Sequence, residues 1–289
     1  MYFFINWNLT NNMLADLSAP LIEDENMIRL GFFAGVLIVI LLLELFLPRR
    51  QLSLPRRLRW TNNLGLILTD ALLVRLLTPF SLLWFASYIE AQGWGLFNQF
   101  VMPFWIVLGI SIVLLDFGIY LQHRIFHIIP VLWKLHRVHH TDLDFDVTTG
   151  LRFHPIEILI SIAIKMAMIL LIGAPVLAIL MFEILLNGMA MFNHANLKLP
   201  LPLDHILRWL IVTPDMHRIH HSVKPKEFNS NFGFNLSCWD RLCRSYNIEP
   251  DNGHDVMQLG QSNFRSRREI RLDRMLLQPF SRPSSHPIK

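Results

Sequence analysis

LGFFAGVLIVILLLELFL, Leu30 to Leu47, is the stretch that decides the class of this protein. Its only ionisable residue is Glu44, and Pro48 closes it. An apolar helix of ~20 residues, rising ~1.5 Å per residue, crosses the ~30 Å hydrocarbon layer of a bilayer. Asp16, Glu23, Asp24 and Glu25 precede the stretch, and Arg49, Arg50, Arg56, Arg57 and Arg59 follow it. Basic residues gather on the cytoplasmic side, so this helix is expected to enter from outside and end inside. The whole chain agrees: 53% of its 289 residues are hydrophobic and only 17% charged, against about a quarter charged in soluble domains.

Outward from that helix, a second apolar segment from about Leu64 to Ile89 returns to the outside. A third, about Phe100 to Leu121, comes back in and delivers His123 to the cytoplasmic surface. Ile156 to Met191 is too long for one span and is broken by Gly173-Ala174-Pro175, a strong turn signal. It reads as a helical hairpin that begins and ends on the cytoplasmic side. The expected fold is therefore an all-α integral membrane protein with about three long spans, a helical hairpin and a cytoplasmic His-rich cap. The expected organisation is a non-cytoplasmic segment 1–29, a membrane-embedded domain 30–250 and a basic, mobile tail 251–289. Tyr2 to Trp7 is apolar but has no basic residue ahead of it, which argues against a cleavable signal peptide. The net charge of +4 sits mostly beside apolar segments, so it speaks for membrane topology and not for nucleic acid. Cys238 and Cys243 supply neither a disulfide framework nor a thiolate metal site.

Lys165 and Glu183 stand at equal distance either side of Ala174 in the hairpin. Antiparallel arms would bring both to the same depth, roughly 13–14 Å from the turn. Charges there need partners, so an ion pair between the arms is expected, the alternative being that both side chains line a substrate tunnel.

The histidines carry the chemistry. His123 and His127 are four apart, one face of a helix. His136, His139 and His140 converge in the same way, and His217, His220 and His221 repeat their offsets. His154 lies in Arg152-Phe153-His154-Pro155, and His194 in Asn193-His194-Ala195-Asn196. His205, His254 and His286 join no cluster and read as ordinary exposed residues. Neutral imidazole is a good ligand for iron, zinc, copper and nickel. A pair of metals held almost wholly by imidazole is electron-poor and strongly oxidising when oxidised, suited to attack on an unactivated C–H bond. One isolated pair would be an interfacial feature; three ordered clusters on one expected membrane face are a metal site.

The clusters His123-x-x-x-His127, His136-x-x-His139-His140 and His217-x-x-His220-His221 resemble the fatty acid hydroxylase (sterol desaturase) superfamily. So do Asp116-x-x-x-Tyr120 before the first cluster, Asn231-Phe232-Gly233, and Trp239-Asp240-Arg241-Leu242. The resemblance spans about Phe104 to Tyr246. It departs at Leu242-Cys243-Arg244-Ser245, where the family often has Leu-Phe-Gly-Thr. It implies four to six membrane helices and two non-haem irons in a cytoplasm-facing site. It also implies oxidation of a lipid by O₂ and two electrons from a separate donor of ferredoxin or cytochrome b5 type with its reductase. The ligands it implies are His123, His127, His136, His139, His140, His217, His220 and His221, with His154 and His194 as further ligands.

Ligand imidazoles need their second nitrogen held. Asp116, two turns before His123, reaches the site only through an intermediate group, while Asn193 and Asn196 flank His194 and would orient it or cap a helix. Asp142, Asp144, Glu157 and Asp215 read mainly as solvated or capping residues. Arg241, Arg244, Arg265, Arg267 and Arg268 form a basic face for anionic lipid or an acidic electron donor. No H-E-x-x-H occurs, because Arg124 and Arg137 stand where that motif has its glutamate, so a zinc protease is excluded. No G-x-G-x-x-G loop binds a dinucleotide. The compact chain fits a bacterial inner membrane, with an endoplasmic reticulum membrane as the alternative. Two other classes remain open at this level: a membrane metal-binding or transport protein, and a bis-histidine haem carrier.

Overall fold

A computed structural model describes residues 19–281. Every regular element among them is helical, and only isolated β-bridges occur. Five segments are long and apolar enough to cross a membrane, and the protein is an all-α integral membrane protein. The apolar stretch around Leu30–Leu47 forms α1 (Glu25–Phe46). The second expected span is corrected to two helices, α2 (Arg56–Leu77) and α3 (Leu82–Ala91). Pro79 has no amide hydrogen for a continuous helix, and Ser81 restarts the chain by accepting from Trp84 N at 3.1 Å.

The third span, α4 (Phe104–Ile128), runs two turns further than its apolar pattern suggested, so His123 and His127 lie on the span itself. Pro130 then opens α5 (Pro130–His140). The hairpin is α6 (Pro155–Ile172) and α7 (Val176–Asn193). Gly173 ends α6 in the left-handed region at φ 68°, which glycine adopts without a Cβ clash. Two short helices of the cap follow, α8 (Leu201–Leu207) and α9 (Pro214–His220).

Helices α3, α4, α6 and α7 share a core around Leu83, Ala86, Leu115, Ile169, Ile179 and Phe182. Lipid is as apolar as these side chains, so close packing and polar contacts must hold the spans together. Lys165 Nζ donates to Glu183 Oε1 at 2.6 Å across the hairpin. Arg29 of α1 joins from the other side, donating to Glu183 Oε2 at 3.0 Å and to Glu25 Oε1 at 2.7 Å. Two like charges on one carboxylate thus tie three spans.

The end of α1, the start of α2, the end of α4, the start of α6 and the end of α7 meet at one end of the bundle. There the cap closes over them. Arg49 N donates to Asn196 O at 3.0 Å, and Lys198 N to Leu47 O at 2.9 Å. Arg59 is fully buried, grips Asp142 with two bonds of 2.8 Å and also reaches Asp146. The expected mobile tail is corrected over 251–281. Met257, Leu259, Phe264, Ile270 and Met275 are buried, and Met275 packs on Leu66 and Val138. Arg137 donates to the carbonyls of Gln278 and Ser281. Asp16, the segment before Ala19 and His286 lie outside the described residues.

Candidate metal centre

Nine histidines gather where these helix ends meet. His123, His127, His136, His140 and His220 form one group, and His139, His194, His217 and His221 a second; within each, the nitrogens lie within 4.8 Å of one another. The groups touch: the His140 and His221 rings are 4.5 Å apart, and His139 and His221 4.6 Å. Helix pitch explains the sorting. His136 and His140, four apart on α5, fall to one group, while His139, turned away between them, falls to the other.

Hydrogen bonds to carbonyls fix the tautomers. A carbonyl only accepts, so a ring nitrogen facing it carries the proton. His123 Nδ1 donates to Phe232 O at 2.8 Å, and His220 Nδ1 to Ser230 O at 2.7 Å. Their Nε2 atoms, which therefore present lone pairs, face each other at 3.0 Å. His194 Nδ1 likewise donates to Ala190 O at 2.7 Å, and its Nε2 stands 3.0 Å from His139 Nε2 and 3.1 Å from His217 Nε2. His136 Nδ1 meets Glu157 Oε1 at 2.6 Å, leaving its Nε2 3.2 Å from His140 Nε2. Lone pairs facing each other repel unless a cation lies between them. Two nitrogens bound at ~2.1 Å to one metal at right angles stand about 3.0 Å apart, which is the spacing seen. The residues fit a metal.

Protonation agrees with this. Burial, and then the neighbouring imidazoles, push His139, His140, His217 and His221 well below the usual histidine value. Burial brings His194 and His220 down to about 3. At neutral pH these rings carry no charge, the form that ligates metal.

His154 is the one expected ligand that the fold keeps out. Its Nδ1 accepts from Ile156 N at 3.2 Å and so caps α6, while its Nε2 donates to Leu276 O at 3.2 Å in the C-terminal segment, so both ring nitrogens are committed elsewhere. The acids expected in solvent are buried and engaged. Glu157 braces His136, Asp142 and Asp146 neutralise Arg59, and Asp144 accepts from Ser53 N and Leu54 N at 2.9 Å. Asp215 pairs with Arg218 and Arg49. His254, expected at the surface, is buried beside Asp215 and Glu249.

Asp116 acts at one remove. It accepts from Leu236 N at 3.1 Å and Trp239 Nε1 at 2.8 Å. Asp240 accepts from the amides of Phe232 and Gly233, both at 2.8 Å. Together they hold the loop whose Phe232 carbonyl meets His123. Asn193 donates to Phe234 O at 2.9 Å, and Asn196 bonds the backbone of Arg50; neither contacts a ring. Sequence reasoning missed the three bracing carbonyls, which no residue type announces. It also missed the aromatic walls: Phe153 stacks on His139 at 4.5 Å, and Trp133 lies 4.8 Å from His127.

Fold and site define a helical membrane protein with a buried, all-imidazole cluster of a kind that could hold metal. Residues 108–245, a little under half of the chain, match the fatty acid hydroxylase family model. The chain is 35% identical over 154 residues to ornithine lipid hydroxylase OlsE of Rhizobium tropici, covering 53% of this chain and 45% of that one. It is 32% identical over 128 residues to alkylglycerol monooxygenase of Xenopus tropicalis, covering 44% of this chain and 27% of the relative. The human alkylglycerol monooxygenase is 29% identical over 135 residues, 46% of this chain and 29% of its own. The matched stretch thus spans less than half of each of these relatives. No solved structure matches.

Proposed function

We propose that this protein is an O₂-dependent lipid hydroxylase or desaturase with two non-haem irons, one in each histidine group. The observation that carries the reading is the set of facing Nε2 lone pairs at 3.0–3.2 Å in a buried site of neutral imidazoles. The names of the relatives, a lipid hydroxylase and alkylglycerol monooxygenases, support a lipid substrate. Against a bis-histidine haem, the nine rings crowd too closely to admit a porphyrin between facing pairs.

Hydroxylation balances as R–H + O₂ + 2e⁻ + 2H⁺ → R–OH + H₂O; desaturation removes a second hydrogen and yields two waters. Bound iron would supply the O₂ activation and the one-electron steps. The electrons come from a separate donor of ferredoxin or cytochrome b5 type. The chain's own contribution is positional. The carbonyls of Phe232, Ser230 and Ala190 hold protons at the Nδ1 atoms of His123, His220 and His194, and so aim each Nε2 inward. Glu157 does the same for His136 with a carboxylate. Phe145, Phe153, Phe232 and Phe234 exclude water around the rings. In this reading the site faces the cytoplasm from a bacterial inner membrane, within reach of acyl or alkyl chains, sterols or carotenoids.

The test is ¹⁸O₂ incubation of purified, iron-loaded protein with a bacterial lipid extract and a reduced ferredoxin system. Mass spectrometry should find a lipid gaining one ¹⁸O atom or losing two hydrogens, absent in His220→Ala. Unchanged lipids across extracts of several bacteria would count against an oxidase.

A further inference from the structure

A cavity of about 500 Å³ opens in the cap beside the histidine site, and one aromatic ring of its wall also packs on that site. That ring is Phe145, 5.0 Å from His221 and 5.3 Å from His194. The cavity is built on the 47–55 loop between α1 and α2, on residues 143–145, and on 222–227 and 252–265. The loop leaves the bilayer at Phe46 and Leu47 and re-enters it at α2, so its level is that of the lipid phosphates.

Charge in this cavity is unequally spent. Its carboxylates are saturated by backbone amides: Asp144 takes Ser53 N and Leu54 N, and Glu227 takes Asp251 N at 2.8 Å. Its cations are unevenly engaged: Lys224 pairs with Asp251 at 3.1 Å and Glu227 at 3.7 Å, whereas two arginines find no carboxylate. The Arg50 guanidinium makes no hydrogen bond or ion pair among the described residues, and its Nη1 is buried without a partner. Arg265 gives one bond to a neutral acceptor, Leu259 O, at 2.9 Å. Asn196 clamps the Arg50 backbone on both sides, accepting from Arg50 N at 3.0 Å and donating to Arg50 O at 2.8 Å. The guanidinium therefore stands on a fixed base with its donors unused, although burying an unpaired cation costs free energy.

We propose that this cavity binds a phosphate group, with Arg50 as its principal partner and Arg265 as a second. A guanidinium fork matches phosphate oxygens geometrically. The phosphate comes from a lipid head group of the adjoining leaflet or from solution, and the cavity has room for what the phosphate carries. This site is independent of the oxidation chemistry, and its test needs no turnover.

Detergent-purified, iron-loaded protein is titrated with inorganic phosphate, with dihexanoyl phosphatidylglycerol and with dihexanoylglycerol, following thermal stabilisation. Wild type should bind at least one phosphate-bearing probe and not dihexanoylglycerol. Arg50→Gln should weaken that binding by about 10-fold or more, the loss of a charge-assisted contact. Arg50→Lys should recover part of it, and all variants should keep wild-type iron content. Binding of both phosphate compounds identifies a site open to free phosphate; binding of phosphatidylglycerol alone identifies a head-group site. If Arg50→Gln fails to fold, Arg265→Gln carries the same comparison. Failure of both phosphate probes to bind, or binding indifferent to both substitutions, overturns the proposal.

Discussion

The two histidine groups are built from the same side chain but are held differently. In the five-membered group, Phe232 O, Ser230 O and Glu157 hold the outer nitrogens of His123, His220 and His136. In the four-membered group His194 alone is held among the described residues, by Ala190 O, while Nδ1 of His139, His217 and His221 finds no partner among them. Outer contacts fix ring orientation and raise ligand basicity. The lesson is that ligand count and ligand quality need not travel together. A metal in the five-membered group should be bound more tightly, and one in the four-membered group should leave first and exchange more readily.

That inequality can be broken from the weaker side. Gly150 lies under the one brace of the four-membered group: a Cβ there would meet Ala190 O at 2.5 Å and His194 Nδ1 at 3.2 Å. Gly150→Ala should cost about 1–3 kcal/mol through overpacking. It should also release metal from the four-membered group while sparing the other, as read by metal analysis during chelator dialysis. Equal loss from both groups would deny their separate bracing.

From the stronger side, Glu157→Gln replaces a carboxylate brace by an amide. Metal affinity of the five-membered group should fall about 10- to 100-fold, measured by chelator competition, and the two affinities should converge. An unchanged affinity would remove Glu157 from the account.

Acid should act on the loops behind the four-membered group. Burial depresses His254, which sits beside Asp215, from 6.5 to about 4. The unfolded chain then binds a proton between those values while the folded one resists it, so the folded state is favoured above pH 6.5 and loses ground down to about 4. His254→Gln should flatten this part of the pH–stability curve; a curve of unchanged slope would assign the acid sensitivity elsewhere.

The smallest effect is expected at Arg244, which belongs to neither group. It is held at φ 58°, where the family often has glycine. Arg244→Gly relieves the left-handed strain but frees the unfolded chain, for a net change within about 1 kcal/mol, read as a melting-temperature shift.

Much of this was legible from the chain. The apolar run after Leu30 and the glycine–proline break at 173–175 announced spans and hairpin, because hydrophobic length and turn chemistry are local. The histidine clusters announced the site for the same reason, since helix pitch converts spacing into a shared face. What stayed hidden was relational. His154 shares the look of a ligand, but its nitrogens are spent on Ile156 N and Leu276 O. Arg59 read as a topology marker and is the buried partner of Asp142. The tail after Asp251 read as mobile from its polarity, yet a few buried residues such as Met257 and Met275 suffice to seat it. Arg29 completes the Lys165–Glu183 pair from a helix more than a hundred residues away in sequence.

The central claim is a pair of metal ions in unequal histidine groups, and metal content per chain tests it most directly. Wild type purified after iron-rich expression should hold close to two irons, and His139→Ala and His220→Ala, one ligand from each group, should each fall to about one or fewer. Stripping wild type with a chelator should remove the two irons in separate steps. A wild-type chain that retains no metal, or a count that neither substitution lowers, would contradict the account.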